Sequence, residues 1–145
     1  MYDHIRITLP YSFSTNEDLQ QFCERFGLYN RDDKRGLYHN RAYKNLIQNY
    51  NVFININKPI NKERGQITMS FSLHKFYNLL MNKEYQNYND FDFVQANKAK
   101  EMFVDKFPML DFSTAQVNIY EIGVNIKVTQ PPIKYFEEIK AIYIQ

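Results

Sequence analysis

The sequence predicts an α+β fold: a mostly antiparallel sheet with about three helices packed on one face, residues 1–145 forming a single domain. Three observations carry that prediction. Short stretches alternate apolar and polar residues with period two, and other stretches repeat apolar residues at helical spacing behind capping residues. Their order is strand, helix, strands with a hairpin, helix, one or two strands, helix, without the regular βαβ alternation of a parallel sheet. The chain's 145 residues suit one domain, and 44% hydrophobic residues with 12 Phe and 12 Tyr exclude a disordered chain. Only 4 Gly and 5 Pro interrupt it.

From Asp3 to Leu9, Ile5, Ile7 and Leu9 oppose His4, Arg6 and Thr8, giving a strand that Pro10 ends. Ser14-Thr15-Asn16-Glu17 reads as a capping box, with Ser14 as the cap. Leu19, Phe22, Cys23 and Phe26 then recur at helical spacing, and Gly27 closes the helix. Burying Leu19, Phe22 and Phe26 contributes about 5–8 kcal/mol before entropy. Asn30 to Asn40 is polar and charged and reads as an exposed loop hinged at Gly36.

Alternation returns through Val52–Asn57, where Val52, Ile54 and Ile56 oppose Phe53, Asn55 and Asn57. Lys58–Gly65 holds Pro59, Asn61 and Gly65, the residues of a hairpin loop. The return strand starts at Gln66, with Ile67, Met69, Phe71 and Leu73 on one side, and carries His74, Lys75, Phe76 and Tyr77 to its end. A short helical turn at Leu79–Met81 follows. Asp92-Phe93-Val94-Gln95 opens a helix on which Phe93, Ala96, Ala99, Lys100, Phe103 and Phe107 share a side, and Pro108 stops it. In Thr114–Tyr120, Ala115, Val117 and Ile119 alternate with Gln116, Asn118 and Tyr120. Beyond Tyr120 the phase flips, with Gly123 as the pivot. Pro131-Pro132 opens a last helix with Ile133, Phe136, Ile139, Lys140 and Tyr143 on one face.

The net charge of +2 conceals an asymmetry. Residues 31–75 hold nine basic and three acidic side chains, a net of +6, against nine basic and 13 acidic elsewhere, a net of −4. A basic middle on an acidic frame suits an anionic partner, although solvated hairpin tips and loops would give the same pattern. Arg35, Tyr38, His39, Arg41, Tyr43 and Lys44 interleave cations with flat rings, a mixture suited to phosphates and unpaired bases.

Other chemistries find less support. His4, His39 and His74 are scattered, so no metal constellation forms and no cofactor is expected. Glu121, flanked by apolar residues, is a weak metal candidate better read as paired with a nearby cation. Cys23, the single cysteine, lies on an apolar helix face where a thiol stays protonated, and it has no partner for an internal disulfide. Gly-rich phosphate loops and nucleophile elbows are absent from the sequence. No signal-like start or long apolar run occurs, so the expectation is a cytoplasmic protein of a bacterial host cell that makes no membrane contact.

Ser70-Phe71-Ser72-Leu73-His74-Lys75-Phe76, then Asn89-Asp90-Phe91, then the helix with Ala96, then Ile119-Tyr120-Glu121-Ile122-Gly123-Val124-Asn125-Ile126 form one pattern. It resembles the amino-terminal part of phage and plasmid rolling-circle replication initiators of the filamentous-phage type. The opening Tyr2-Asp3-His4-Ile5-Arg6 is similar as well. Such initiators nick DNA with a tyrosine and a divalent metal, and the resemblance puts Glu121 and Asn125 near the metal-side strand. This sequence has no His-hydrophobic-His pair, and none of its 12 tyrosines has the spacing of a nicking residue. Catalysis is therefore not carried over.

The expectation is a small phage or mobile-element protein, not an enzyme, that binds RNA, DNA or a host nucleoprotein complex. In it Arg35, Arg41, Lys44, Lys58, Lys62, Arg64 and Lys75 neutralise phosphate, while Tyr38, His39, His74 and Tyr77 stack or hydrogen-bond. The alternatives are an anti-CRISPR inhibitor docking on a host RNA-guided nuclease or its guide RNA, and a fragment of a metal-dependent nickase.

Overall fold

β1 (Tyr2–Pro10) lies inside the sheet, paired antiparallel on one side with β5 (Gln66–Phe71) and on the other with β6 (Gln116–Ile122). The computed structural model describes residues 2–32, 36–40, 50–58, 65–84 and 91–122. With β2 (Tyr29–Asp32), β3 (Leu37–His39) and β4 (Phe53–Asn57), the strands form one six-stranded sheet in the order β2-β3-β4-β5-β1-β6, every pair antiparallel. The three described helices are α1 (Asn16–Phe26), α2 (Leu73–Met81) and α3 (Phe93–Lys106). The α+β architecture follows, with the antiparallel sheet that the alternation predicts.

Register decides which side chains are covered. Ile5, Ile7 and Leu9 stand opposite Phe71, Met69 and Ile67, and Ile54 and Ile56 continue those rows on β4. Of these eight, all but the half-buried Ile5 are buried. Rings from the helices complete the core. Phe13 touches Phe22, Phe22 touches Phe26, and Phe26 reaches Phe107 at 4.8 Å. Phe107 adjoins Phe103, which stacks on Phe71 at 4.3 Å and 4°. This chain of rings links β5, α1 and α3 and holds the helices to one face.

Several local readings shift. The first helix is capped by Thr15 and Asp18, one residue beyond Ser14 and Glu17: Thr15 Oγ1 accepts from the Asp18 N–H and Asp18 accepts from the Thr15 N–H, both at 3.0 Å. Leaving Ser14 outside the helix keeps Phe13 free to lay its ring on Phe22, 5.0 Å away. Gly27 does end the helix, with φ 61° and the Leu28 N–H bonded back to the Cys23 carbonyl.

Asn30–Asn40 is not simply a loop, since it contributes most of β2, the edge strand, and β3 beside it, both too short to alternate visibly. Gly36 is no hinge there. It sits buried at φ +58° with its carbonyl accepting from the Lys58 N–H, and a Cβ added to it would lie 2.0 Å from the Lys58 oxygen. The β4–β5 hairpin is as expected, with Asn57 opposite Gln66.

The return strand ends earlier than its alternation implies. Ser72 caps α2, its Oγ accepting from the Lys75 N–H at 3.2 Å, so Leu73 to Met81 are helical. Leu73 fits both periods, continuing Ile67-Met69-Phe71 and pairing with Phe76 at i+3, which hides the switch. Asp92 and Gln95 form the expected capping box of α3. Ala96, Ala99 and Phe103 face inward, whereas Phe93 is 72% exposed in the first turn. On β6 the register shift falls at Asn118, because Val117 pairs with Ile7 and Ile119 with Arg6. The change of phase thus begins five residues before Gly123, which lies outside the described residues together with the expected last helix.

Candidate nucleic-acid interface

The alternation that buries one face of the sheet necessarily builds the other. Opposite Ile5, Ile7, Ile54, Ile56, Ile67 and Met69 stand His4, Arg6, Thr8, Phe53, Asn55, Asn57, Thr68 and Ser70. Arg6, Gln66, Gln116 and Asn118 are exposed, and Thr8, Asn55, Asn57 and Thr68 are half-buried. Thr8 Oγ1 hydrogen-bonds Asn118 Oδ1 across the β1–β6 ladder.

Toward the β2 edge this face becomes aromatic. Tyr29 pairs with His39, their rings 4.4 Å apart edge to face, and Phe53 lies 6.5 Å from His39. Phe53, Ser70 and Arg6 occupy one cross-strand row, and Arg6 Nε donates to Ser70 Oγ at 3.3 Å. A 45% exposed Tyr29, a half-buried Phe53 and an exposed guanidinium therefore lie along one surface. Flat rings offer stacking area, and a guanidinium offers a charged fork for phosphate.

β3 is held beside β4 by a buried amide. Asn40, 0% exposed, donates from Nδ2 to the Val52 carbonyl at 2.9 Å and accepts the Ile54 N–H on Oδ1 at 2.7 Å. The side chain thereby continues the ladder past the last residue of β3 and fixes His39 next to Phe53.

The six nominated residues that lie among the described ones are not gathered into one surface. Tyr38 and His39 point to opposite faces: Tyr38 pairs with Ile56 and packs, partly buried, against the core. His39 is on the polar face but only 6% exposed, under Tyr29, so it supports that ring and presents little surface of its own. His74 is 0% exposed and stacks on Phe91 at 4.5 Å, because the first turn of α2 directs it inward. It cannot meet a surface ligand from there. Tyr77 also packs on Phe91, at 5.7 Å, and is half-buried.

Lys58 is exposed at the hairpin end of the sheet, its Nζ 4.5 Å above the Tyr11 ring. Lys75 follows the opposite end of β5, and the six residues of that strand separate the two ends by about 20 Å. The hairpin and the strand end are thus separate places. Arg35, Arg41, Lys44, Lys62 and Arg64 lie outside the described residues.

Other chemistry is thin. Glu121 takes the register position opposite His4, and the described residues include no group of three or more His, Cys, Asp or Glu able to share a metal ion. Burial pushes the Cys23 thiol up to about 11, with the Glu24 charge adding to the effect, so it is a protonated core side chain at neutral pH. Burial likewise raises Tyr11, reinforced by Cys23 and Asp18. No described helix is long and apolar enough to cross a membrane.

Sequence reasoning passed over Arg6, Tyr29 and Phe53. The signal for two of them was present: the residues opposite Ile5–Leu9 and Val52–Ile56 must share a face once those strands join one sheet. No family model, curated protein or solved structure matches the chain.

Proposed function

We propose that this protein binds nucleic acid, free or within a nucleoprotein, without catalysing a reaction, and that the helix-free face of its sheet is the contact surface. The presence of Tyr29, Phe53 and Arg6 on that one face carries the reading. Tyr29 and Phe53 supply planes on which unpaired bases stack, Arg6 supplies charge for phosphate, and Thr8, Asn55, Thr68 and Asn118 supply hydrogen bonds around them. Lys58, exposed at the hairpin end of the sheet, adds positive charge there. This use of a sheet fits the resemblance to replication initiators while requiring no nicking residue. It also moves the centre of the interface from the basic loops to the strands.

Fluorescence anisotropy with labelled single-stranded DNA and RNA, run across a salt series, tests the proposal. Affinity should fall steeply as salt rises, and Tyr29→Ala and Phe53→Ala should each weaken binding by about tenfold. Absence of binding at low salt would refute it. If the protein then co-purified with a host protein, the inhibitor reading would take its place.

A further inference from the structure

Between α3 and the β1–β6 edge, on the helix-bearing side of the sheet, lies a groove of about 510 Å³ with almost wholly apolar walls. Its floor is built from the buried Ile7, Phe71 and Phe103, and its rim from the exposed Phe93, Val104 and Val117. Small side chains leave the space open, Ala96 on the helix and Ala115 just ahead of β6. We propose that the groove binds a single unbranched alkyl carboxylate, with its chain laid along α3 and its head beside Lys100.

Three features select that class of ligand. The first is volume, which falls within the range of about 300–1,000 Å³ typical of small-molecule sites. Apolar walls give water few hydrogen-bond partners, so water is poorly held there. An apolar guest instead restores the dispersion contacts that the floor otherwise lacks. The second is shape. Phe93, Asn97, Lys100 and Val104, spaced i, i+4, i+7 and i+11, form one wall along about 16 Å of helix axis. A long wall of that kind suits an extended chain better than a compact ring system.

The third is charge. Among the described residues that line the groove, Lys100 is the single charged one, and no carboxylate accompanies it. It is exposed, so its aliphatic stem can lie on the wall while the ammonium stands in water at the rim. An anionic head is drawn to that place and a cationic head repelled. Asn97, a turn earlier on the same wall, adds an amide donor for a carboxylate. Ile7 and Phe71 point away from the face that carries Arg6 and Ser70, so this site is separate from the polar surface of the sheet.

Isothermal titration calorimetry of the whole chain at low salt tests the proposal, with decanoate, decanol and decylamine as probes below their critical micelle concentrations. One molecule should bind per chain, decanoate tightest and decylamine weakest, with about threefold between successive heads. Between octanoate and decanoate, each added methylene should tighten binding by about three- to fourfold. Lys100→Glu should reverse the order of the heads, and Val117→Asp, which puts a charge in the wall, should weaken all three ligands by about tenfold or more. Both positions are exposed, and the order of the heads in the unaltered chain stands by itself if either variant does not fold. Absence of saturable binding, several molecules per chain, equal affinity for the three heads, or binding untouched by a folded Val117→Asp would each overturn the proposal.

Discussion

The two faces of the sheet share every backbone hydrogen bond and differ in almost everything else. On one, seven of the eight aliphatic and aromatic residues that β1, β4 and β5 direct inward are buried under α1, α2 and α3, and the rings of Phe71, Phe103, Phe107, Phe26 and Phe22 touch in sequence. On the other, Thr8, Asn55, Thr68 and Asn118 hold hydroxyls and amides at the surface, and the rings of Tyr29, His39 and Phe53 gather near β2. The first face supplies free energy of folding, because apolar area leaves water there. The second contributes little to stability and is free to be shaped by what it touches. A strand residue's duty is thus set by the parity of its position.

Mutations can sharpen or break that contrast. Phe103→Ala should have the largest effect, lowering unfolding free energy in urea titrations by about 3–5 kcal/mol, since Phe103 meets Phe71, Phe76, Phe107 and Phe112. Asn40→Ala should follow, costing about 2–3 kcal/mol by stranding the buried Val52 carbonyl and Ile54 N–H. This would show that one polar group can matter as much as a ring when it closes a ladder.

Next comes a pH effect of the covered face. The Cys23 thiol is raised from its ordinary 9.0 to about 11, so the folded state holds a proton that the unfolded chain releases. The associated stability is complete below pH 9 and is lost as pH climbs toward 11. Cys23→Ala should therefore flatten part of the fall in stability across pH 9–11 in thermal melts, whatever it costs at neutral pH.

The smallest effect belongs to the open face, where Thr68→Ala should change stability by less than about 1 kcal/mol. A loss comparable to that of Phe103→Ala would show that the polar face is as tightly packed as the covered one, and the contrast between them would collapse.

Much of this was legible in the chain. Ile5-Ile7-Leu9 and Val52-Ile54-Ile56 announce strands, and Asp92 with Gln95 announces a helix, because period and capping are local properties of a few residues. Leu73 misled for the same reason: it satisfies both the strand and the helix period, and only the Ser72 cap decides between them. β2 and β3 escaped notice because strands of three or four residues are too short to establish an apolar alternation. Among the nominated site residues, charge and ring content marked Tyr38, His39 and His74 without saying which way each would point.

The amino-acid order by itself determined β1, α1, β4, β5 and α3, their approximate limits and the face those strands must bury, since these follow from backbone geometry and the removal of apolar side chains from water. Tertiary structure alone decided which residues meet. It set Tyr29, Phe53 and Arg6 along one surface, turned His74 and Tyr38 toward the interior, and separated Lys58 from Lys75 by the length of β5. Those outcomes depend on the β2-β3-β4-β5-β1-β6 order and its register, which arise from pairing between distant segments and leave no mark in any short stretch of sequence.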